Sequence, residues 1–181
     1  MSARPQVRRV RLEEWRQIRD LRIEAVGDPA AGIAFLSTPE QERTHDDAFW
    51  RDRAAGAAMG ADAAQFIADD GARWVGTVTV LLRESGALDH VGRAVAHDRA
   101  DIVGVYLAPS YRGSGLLGEL VDAAAHWAAE RGADDLTLDV HVDNVRAQKA
   151  YRAIGFVPTG ETFTSVIGPE LVMRRAGSVG A

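Results

Sequence analysis

Between residues 12 and 25 the apolar positions Leu12, Trp15, Ile18, Leu21 and Ala25 fall on one helical face. The pattern predicts a helix over 13–26, preceded by a short strand over 6–11 and stopped before Gly27 and Pro29. Thr38, Pro39 and Glu40 make a second start signal: a capping hydroxyl, a proline in the first helical position, and an acid where the helix dipole favours one. The helix they open is expected to run to about 56, carrying Phe49 and Trp50 and half exposed because its charge is high.

Two β-rich runs, 65–68 and 73–82, flank Asp69, Asp70 and Gly71, a turn signal that predicts a hairpin. The polar stretch 83–99 is longer than a usual connection, so a functional or mobile loop is expected there. A buried strand follows over 101–107, with Gly104 a candidate bulge. Over 115–131, Leu117, Leu120, Val121, Ala124 and Trp127 share one face of an amphipathic helix that Gly132 ends. Residues 136–142 alternate with period two, the signature of a strand. Asn144 caps a helix reaching Ile154 and Gly155, and two β-like segments, 156–164 and 170–174, close the chain. The order of elements is that of an α/β (α+β) fold.

Composition narrows the function. With 181 residues the chain suits one domain with a single core. A net charge of −5 argues against a nucleic-acid partner, which needs clustered Lys and Arg, and fits a cationic substrate better. The absence of Cys excludes a disulfide framework, thiolate metal sites and a Cys nucleophile, and fits a reducing compartment. Residues 1–10 are basic and polar rather than signal-like, and no apolar run approaches a membrane span, so the expectation is a cytoplasmic protein with no membrane partner. His45, His90, His97, His126 and His141 have no metal-ligand spacing, so no metal is expected; His141 shares a strand face with Asp139.

The chemistry concentrates in 101–120, where a buried strand passes through a Gly-rich turn into a helix N-terminus. Free backbone N–H groups and the positive end of the helix dipole there suit a phosphate. Gly113 and Gly115 let the backbone approach a ligand, and Arg112 adds a charged donor. A P-loop is excluded, because no Gly-Lys-Ser or Gly-Lys-Thr ends the turn. Gly113, Gly115 and Gly118 spell the dinucleotide pattern, with Asp139 in reach of the acidic position, which keeps an oxidoreductase as a minor alternative. Against it, 108–112 intervene between strand and turn, and too little chain follows Asp139 for a doubly wound sheet.

The run Arg112, Gly113, Ser114, Gly115, Leu116, Leu117, preceded by Val105, Tyr106, Leu107, Ala108 and Pro109, resembles the coenzyme A motif of the GNAT superfamily of N-acetyltransferases. Leu117 departs from the small residue usual at the last position and adds bulk near the pyrophosphate. A second stretch, 144–156, is similar to the family's segment carrying Asn144, Tyr151, Gly155 and Phe156. The likeness spans about 63–175.

The resemblance implies a mixed, mostly antiparallel sheet, splayed between strands four and five, with helices on both faces. It implies one domain over 1–176, with 1–62 on the acceptor side and 63–176 as the coenzyme-binding core, and a flexible tail over 177–181. Acetyl-coenzyme A is the implied co-substrate. Val105, Tyr106 and Leu107 would hold its pantetheine arm, the Arg112 to Leu117 turn its pyrophosphate, and Asn144 the arm from the other side. Tyr151 matches the tyrosine that protonates the leaving sulfur, and Asp101 and Asp139 both match base positions, with no choice between them from sequence. The implied reaction is direct acetyl transfer to a primary amine of a small molecule, peptide or protein. Trp15, Phe35, Phe49, Trp50 and Trp74 read most simply as core, while the resemblance implies an acceptor side on the first two helices, where Phe35, Phe49 or Trp50 would line the pocket. Glu40, Glu42, Asp46 and Asp47 are a solvated face or an attractor for a cationic amine. A non-catalytic acyl-coenzyme A sensor is the alternative, and an exposed strand edge near the C-terminus offers a route to a homodimer.

Overall fold

In the computed structural model, which describes residues 4–177, one twisted sheet carries everything else. Its strands are β1 (Gln6–Arg9), β2 (Ala63–Asp69), β3 (Trp74–Arg83), β4 (Arg99–Leu107), β5 (Leu136–His141), β6 (Val157–Ser165) and β7 (Gly168–Arg175). Their order is β1-β2-β3-β4-β5-β7-β6, and every neighbouring pair is antiparallel except β4 and β5. The helices are α1 (Trp15–Val26), α2 (Pro39–Arg43), α3 (Asp47–Met59), α4 (Leu116–Ala129) and α5 (Val145–Ala153). Among the described residues no helix is long and apolar enough to cross a membrane.

Because side chains alternate across a strand, β2 serves two cores at once. Ala64, Phe66 and Ala68 enter the cluster formed with Leu120, Val121 and Ala124 of α4 and Tyr151 of α5. Ile67 points the other way, into a cluster with Ile18 and Leu21 of α1 and Trp50 of α3. Helices therefore cover both faces, as the resemblance implied. A Cβ on Gly76 of β3 would lie 2.5 Å from Leu107 Cδ2 and 3.2 Å from Leu120 Cδ1, so this glycine sets how closely α4 seats on the sheet.

Strand β4 departs from β5 almost at once. Only Ala100 with Leu136 and Asp101 with Thr137 are paired. The cause lies on the opposite edge, where Thr77 faces Tyr106 and Thr79 faces Val103, leaving Gly104 and Val105 opposite Val78 alone. This is a β-bulge, and the extra residue bends its strand. Gly104 sits at φ +60, and a Cβ there would meet only Thr79 Oγ1 at 3.7 Å, so the glycine serves backbone conformation rather than space.

Three expectations change. The single helix predicted from Thr38 to about residue 56 is two helices. Thr38 and Gln41 cap α2 reciprocally, and Asp46 then opens α3 by accepting from Phe49 N at 2.9 Å. Leu12, expected on the apolar face of the first helix, lies in a 3-10 turn with 48% of its surface exposed, whereas Trp50, read most simply as core, is completely buried. The 84–98 connection is folded around one buried carboxylate: Asp89 accepts from Val91 N, Arg93 N, Arg93 Nε and Arg99 Nη2. Of the expected tail, 178–181 lie outside the described residues, as do 1–3 of the basic N-terminal stretch.

Candidate active site

Where β4 leaves β5 a cleft of ≈ 510 Å³ opens between the strands. Val105, Tyr106 and Leu107 line it, and on that side no strand pairs with their backbone, so the free edge can hydrogen-bond a ligand. Tyr106 offers the cleft mainly its backbone. Its ring joins the α1 core and its hydroxyl donates to Glu24 Oε1 at 2.9 Å; burial and that carboxylate push its pKa to about 12.

At one end of the cleft, Gly113 and Gly115 both adopt positive φ, +77 and +87, and a Cβ on either would meet nothing within 4 Å. Gly115 is the left-handed cap of α4, and Leu117 and Gly118 of the first turn line the cleft beside it. The geometry is that of an anion site on a helix N-terminus. Two neighbours face elsewhere. Ser114 Oγ donates to Tyr111 O at 2.6 Å, and the Leu116 side chain, 2% exposed, belongs to the core. Arg112, read from sequence as a phosphate donor, is already engaged: its Nε donates to Leu107 O at 3.1 Å and its Nη2 pairs with Asp28.

The opposite wall comes from α5. Asn144 is 7% exposed; its Oδ1 accepts from Ala147 N at 3.2 Å, and its Nδ2 donates to Ile33 O at 3.3 Å. It thus caps α5 and ties the 31–33 turn to it. Tyr151 lies edge-on to Phe156, ring centroids 6.0 Å apart. Its hydroxyl has no hydrogen-bond partner among the described residues, and burial pushes its pKa to about 12. Arg146 lines the same cleft, exposed and without an ion-pair partner among the described residues.

A second, smaller chamber of ≈ 190 Å³ adjoins the first, and Ile102, Val103, Gly104, Asp139 and Glu170 line both. The two candidate bases differ here. Asp101 lines only the smaller chamber and is held by Arg99 Nε at 2.7 Å and Arg83 Nε at 3.4 Å. Asp139 lines both; Oδ2 accepts from Arg93 Nη2 at 2.8 Å and lies 3.8 Å from His90 Nε2, while buried Oδ1 has no partner. Burial, with Glu170 adding to it, raises the proton affinity of Asp139 above the usual carboxylate value despite Arg93.

The chain around this cleft matches a known family over most of its length: the model described as the acetyltransferase (GNAT) family covers residues 15–156. The chain belongs to the GNAT family. The mycothiol acetyltransferase of Corynebacterium aurimucosum is 48% identical over 52 residues, 29% of this chain and 17% of that protein. An aminoglycoside N(6')-acetyltransferase type 1 of Stenotrophomonas maltophilia is 34% identical over 85 residues, 47% of this chain and 53% of that one. The chain thus spans less than two thirds of either curated relative. Among solved structures, the PaiA N-acetyltransferase of Thermoplasma acidophilum in complex with coenzyme A superposes with a TM-score of 0.69 at 15% identity, covering 96% of this chain and 99% of that one.

The GNAT cleft also contains residues that sequence reasoning missed. Glu170 of β7 stands opposite His141 in register, 6% exposed, with no hydrogen-bond or ion-pair partner among the described residues. His141 itself accepts from Asp143 N at 3.1 Å through Nδ1, a turn contact. Arg93 bridges Asp89 and Asp139, and its guanidinium carbon lies 3.7 Å from the centroid of Phe163 on β6. Phe35 lines both chambers, whereas Phe49 stacks on His45 and Trp50 is core. The only advance signal for Arg93 was charge in a segment otherwise without pattern, and for Glu170 an acid at the start of a β-like segment.

Proposed function

We propose that this protein transfers an acetyl group from acetyl-coenzyme A to a primary amine by direct attack. The observation that carries the reading is the junction of the two chambers. Where β4 leaves β5, Asp139 reaches both spaces, so a thioester in the larger one and an amine in the smaller would meet beside it. The GNAT family and the acetyltransferase relatives support the reaction class.

The free edge of 105–107 suits the amides of a pantetheine arm, and the Gly113 to Gly115 turn with the first amides of α4 suits a pyrophosphate. Bound there, acetyl-coenzyme A supplies an activated acyl group. The acceptor amine arrives as an ammonium with a pKa of about 10 and must lose a proton before it can attack. Asp139 is the better base of the two acids, because its raised proton affinity moves it toward neutral pH and Oδ1 is uncommitted. Asp101, neutralised by two guanidiniums, shapes the chamber wall.

Tyr151 faces the departing sulfur. With a pKa of about 12 it stays protonated, and full transfer to a thiolate, whose pKa is about 8.5, is uphill. Its part is to donate a hydrogen bond as charge develops on sulfur. The test is thiol release from acetyl-coenzyme A over a panel of amines, with acetylated product confirmed by mass. Tyr151→Phe should lower kcat by about 10²-fold with the coenzyme A affinity kept. Full activity of that variant would remove the role from Tyr151, and tight binding without release on any amine would overturn the enzyme reading in favour of a sensor.

A further inference from the structure

In the smaller chamber two side chains of opposite charge, Arg53 and Glu170, form no hydrogen bond or ion pair among the described residues. Arg53, from α3, lines it with no hydrogen-bond or ion-pair partner among the described residues. The carboxylate whose field reaches it, Glu42, is committed through Oε1, which accepts from Arg22 Nε at 2.7 Å and from Ser37 Oγ at 2.5 Å, while Oε2 forms no hydrogen bond among the described residues and lies 3.9 Å from His45 Nε2. Arg53 therefore shares the field of this carboxylate with a second guanidinium, Arg22, and makes no hydrogen bond to it. Burial and Arg22 lower its pKa, and Glu42 offsets them only in part.

On the other wall stands Glu170, buried and equally unpartnered, next to Asp139 with its free Oδ1. A buried carboxylate and a half-buried guanidinium left without partners are costly, a cost that a ligand joining them would relieve. At ≈ 190 Å³ against ≈ 510 Å³ for the cleft it adjoins, this is the smaller of the two spaces and suits a compact acceptor. The apolar remainder of the wall, Phe35, Leu36 and Ile167, offers a place for a modest side chain.

We propose that this chamber takes an acceptor that carries a carboxylate as well as the reacting amine, a free amino acid, with Arg53 binding the carboxylate while Glu170 and Asp139 receive the ammonium. The proposal rests on the acetyl-transfer reading and adds the class of acceptor to it. Arg53 can grip the carboxylate in a two-pronged contact that a lone ammonium of Lys cannot reproduce, and Glu170 keeps the amine end aimed at the junction with the larger cleft. An amine without the carboxylate would leave Arg53 unpaired inside the chamber, and a site built for a polar group discriminates strongly against analogues that lack it.

The test compares the standard α-amino acids with the amines formed by removing each carboxylate, together with one aminoglycoside. Thiol release is read with acetyl-coenzyme A, and calorimetric binding with coenzyme A present. At least one amino acid should exceed its matched amine in kcat/KM by on the order of ten- to a hundred-fold. Arg53→Ala should bring that ratio toward one, and Arg53→Lys should retain part of it, with the melting temperature and coenzyme A affinity of each variant measured as the fold control. Matched amines or the aminoglycoside reacting as well as the amino acids would overturn the proposal while leaving acetyl transfer standing. So would a preference that survives Arg53→Ala. If no compound releases thiol, Arg53-dependent binding of an amino acid supports the subsite and overturns the enzyme reading, and binding of none overturns the subsite.

Discussion

The two sides of the cleft are made of different material. On the coenzyme side the groups offered are backbone: a strand edge freed by the bulge at Gly104, and a turn whose two glycines take positive φ. On the acceptor side they are ionisable side chains from six separate segments, with Arg22 on α1, Arg53 on α3, His90 in the 84–98 connection, Asp101 on β4, Asp139 on β5 and Glu170 on β7. Backbone groups hold one general shape and cannot be mutated away. Side chains from distant segments can be re-chosen, which lets one fold keep its coenzyme while its acceptor changes.

The contrast breaks most sharply at Asp139. Asp139→Asn should lower kcat by about 10²-fold, because the neutral amide cannot take the proton from the ammonium. Its stability should move the other way. The carboxyl's proton affinity is raised in the folded protein, so Asp139 favours folding below its unfolded value and that contribution is lost as pH rises through the folded value. The variant should therefore melt at or above wild type at pH 7, with the difference shrinking in acid, and the acid limb of the wild-type kcat profile should lie above the ordinary carboxylate range. Asp101→Asn should show the opposite balance, with a lower melting temperature and a much smaller loss of kcat, since Arg83 and Arg99 lose a charged partner. Equal losses of kcat from the two variants would end the distinction between them.

On the coenzyme side the matching disturbance is conformational. Gly115→Val forces a β-branched residue into φ +87, a left-handed geometry costing on the order of 1–2 kcal/mol, at the cap that aims the first amides of α4. The KM for acetyl-coenzyme A should rise by about ten-fold while the ranking of acceptors stays as it was. A change in that ranking would mean that the two sides are not separable.

The same division explains what could be read in advance. A glycine turn and a helix cap are local, so Gly113, Gly115 and Asn144 announced themselves within a few residues of sequence, and the bulge at Gly104 did so as a lone glycine in a strand. The break between α2 and α3 was also local, but Asp46 resembled surface charge until its bond to Phe49 N was visible. Arg93, Arg53 and Glu170 had no local signal of a role at the site. Each matters through a neighbour that the fold brings from far along the chain: Arg93 and Asp139 are 46 residues apart. The sequence pattern also named two acids equally, because the partners that separate them, Arg83 and Arg99 for one and Arg93 for the other, are set by tertiary packing.

Arg112 is where a motif and the geometry part company, and it gives the smallest test. Its guanidinium ties Leu107 O to Asp28, which is buried and also accepts from Ala30 N at 2.9 Å, so it braces the end of β4 against the segment after α1. Arg112→Ala should act on stability, by about 1–3 kcal/mol, because it leaves a buried carboxylate short of its partner. Arg146, exposed on α5 and free of ion pairs among the described residues, is the cation placed to meet phosphate. An exposed ion pair is worth about 0.2–1 kcal/mol, so Arg146→Ala should raise the KM for acetyl-coenzyme A by no more than a few-fold, and added salt should erase the difference. A larger rise in that KM from Arg112→Ala, with the melting temperature unchanged, would mean that the guanidinium leaves Asp28 for the phosphate when coenzyme A binds. The motif arginine would then hold its family role by switching partners, and the coenzyme side would depend on a side chain after all.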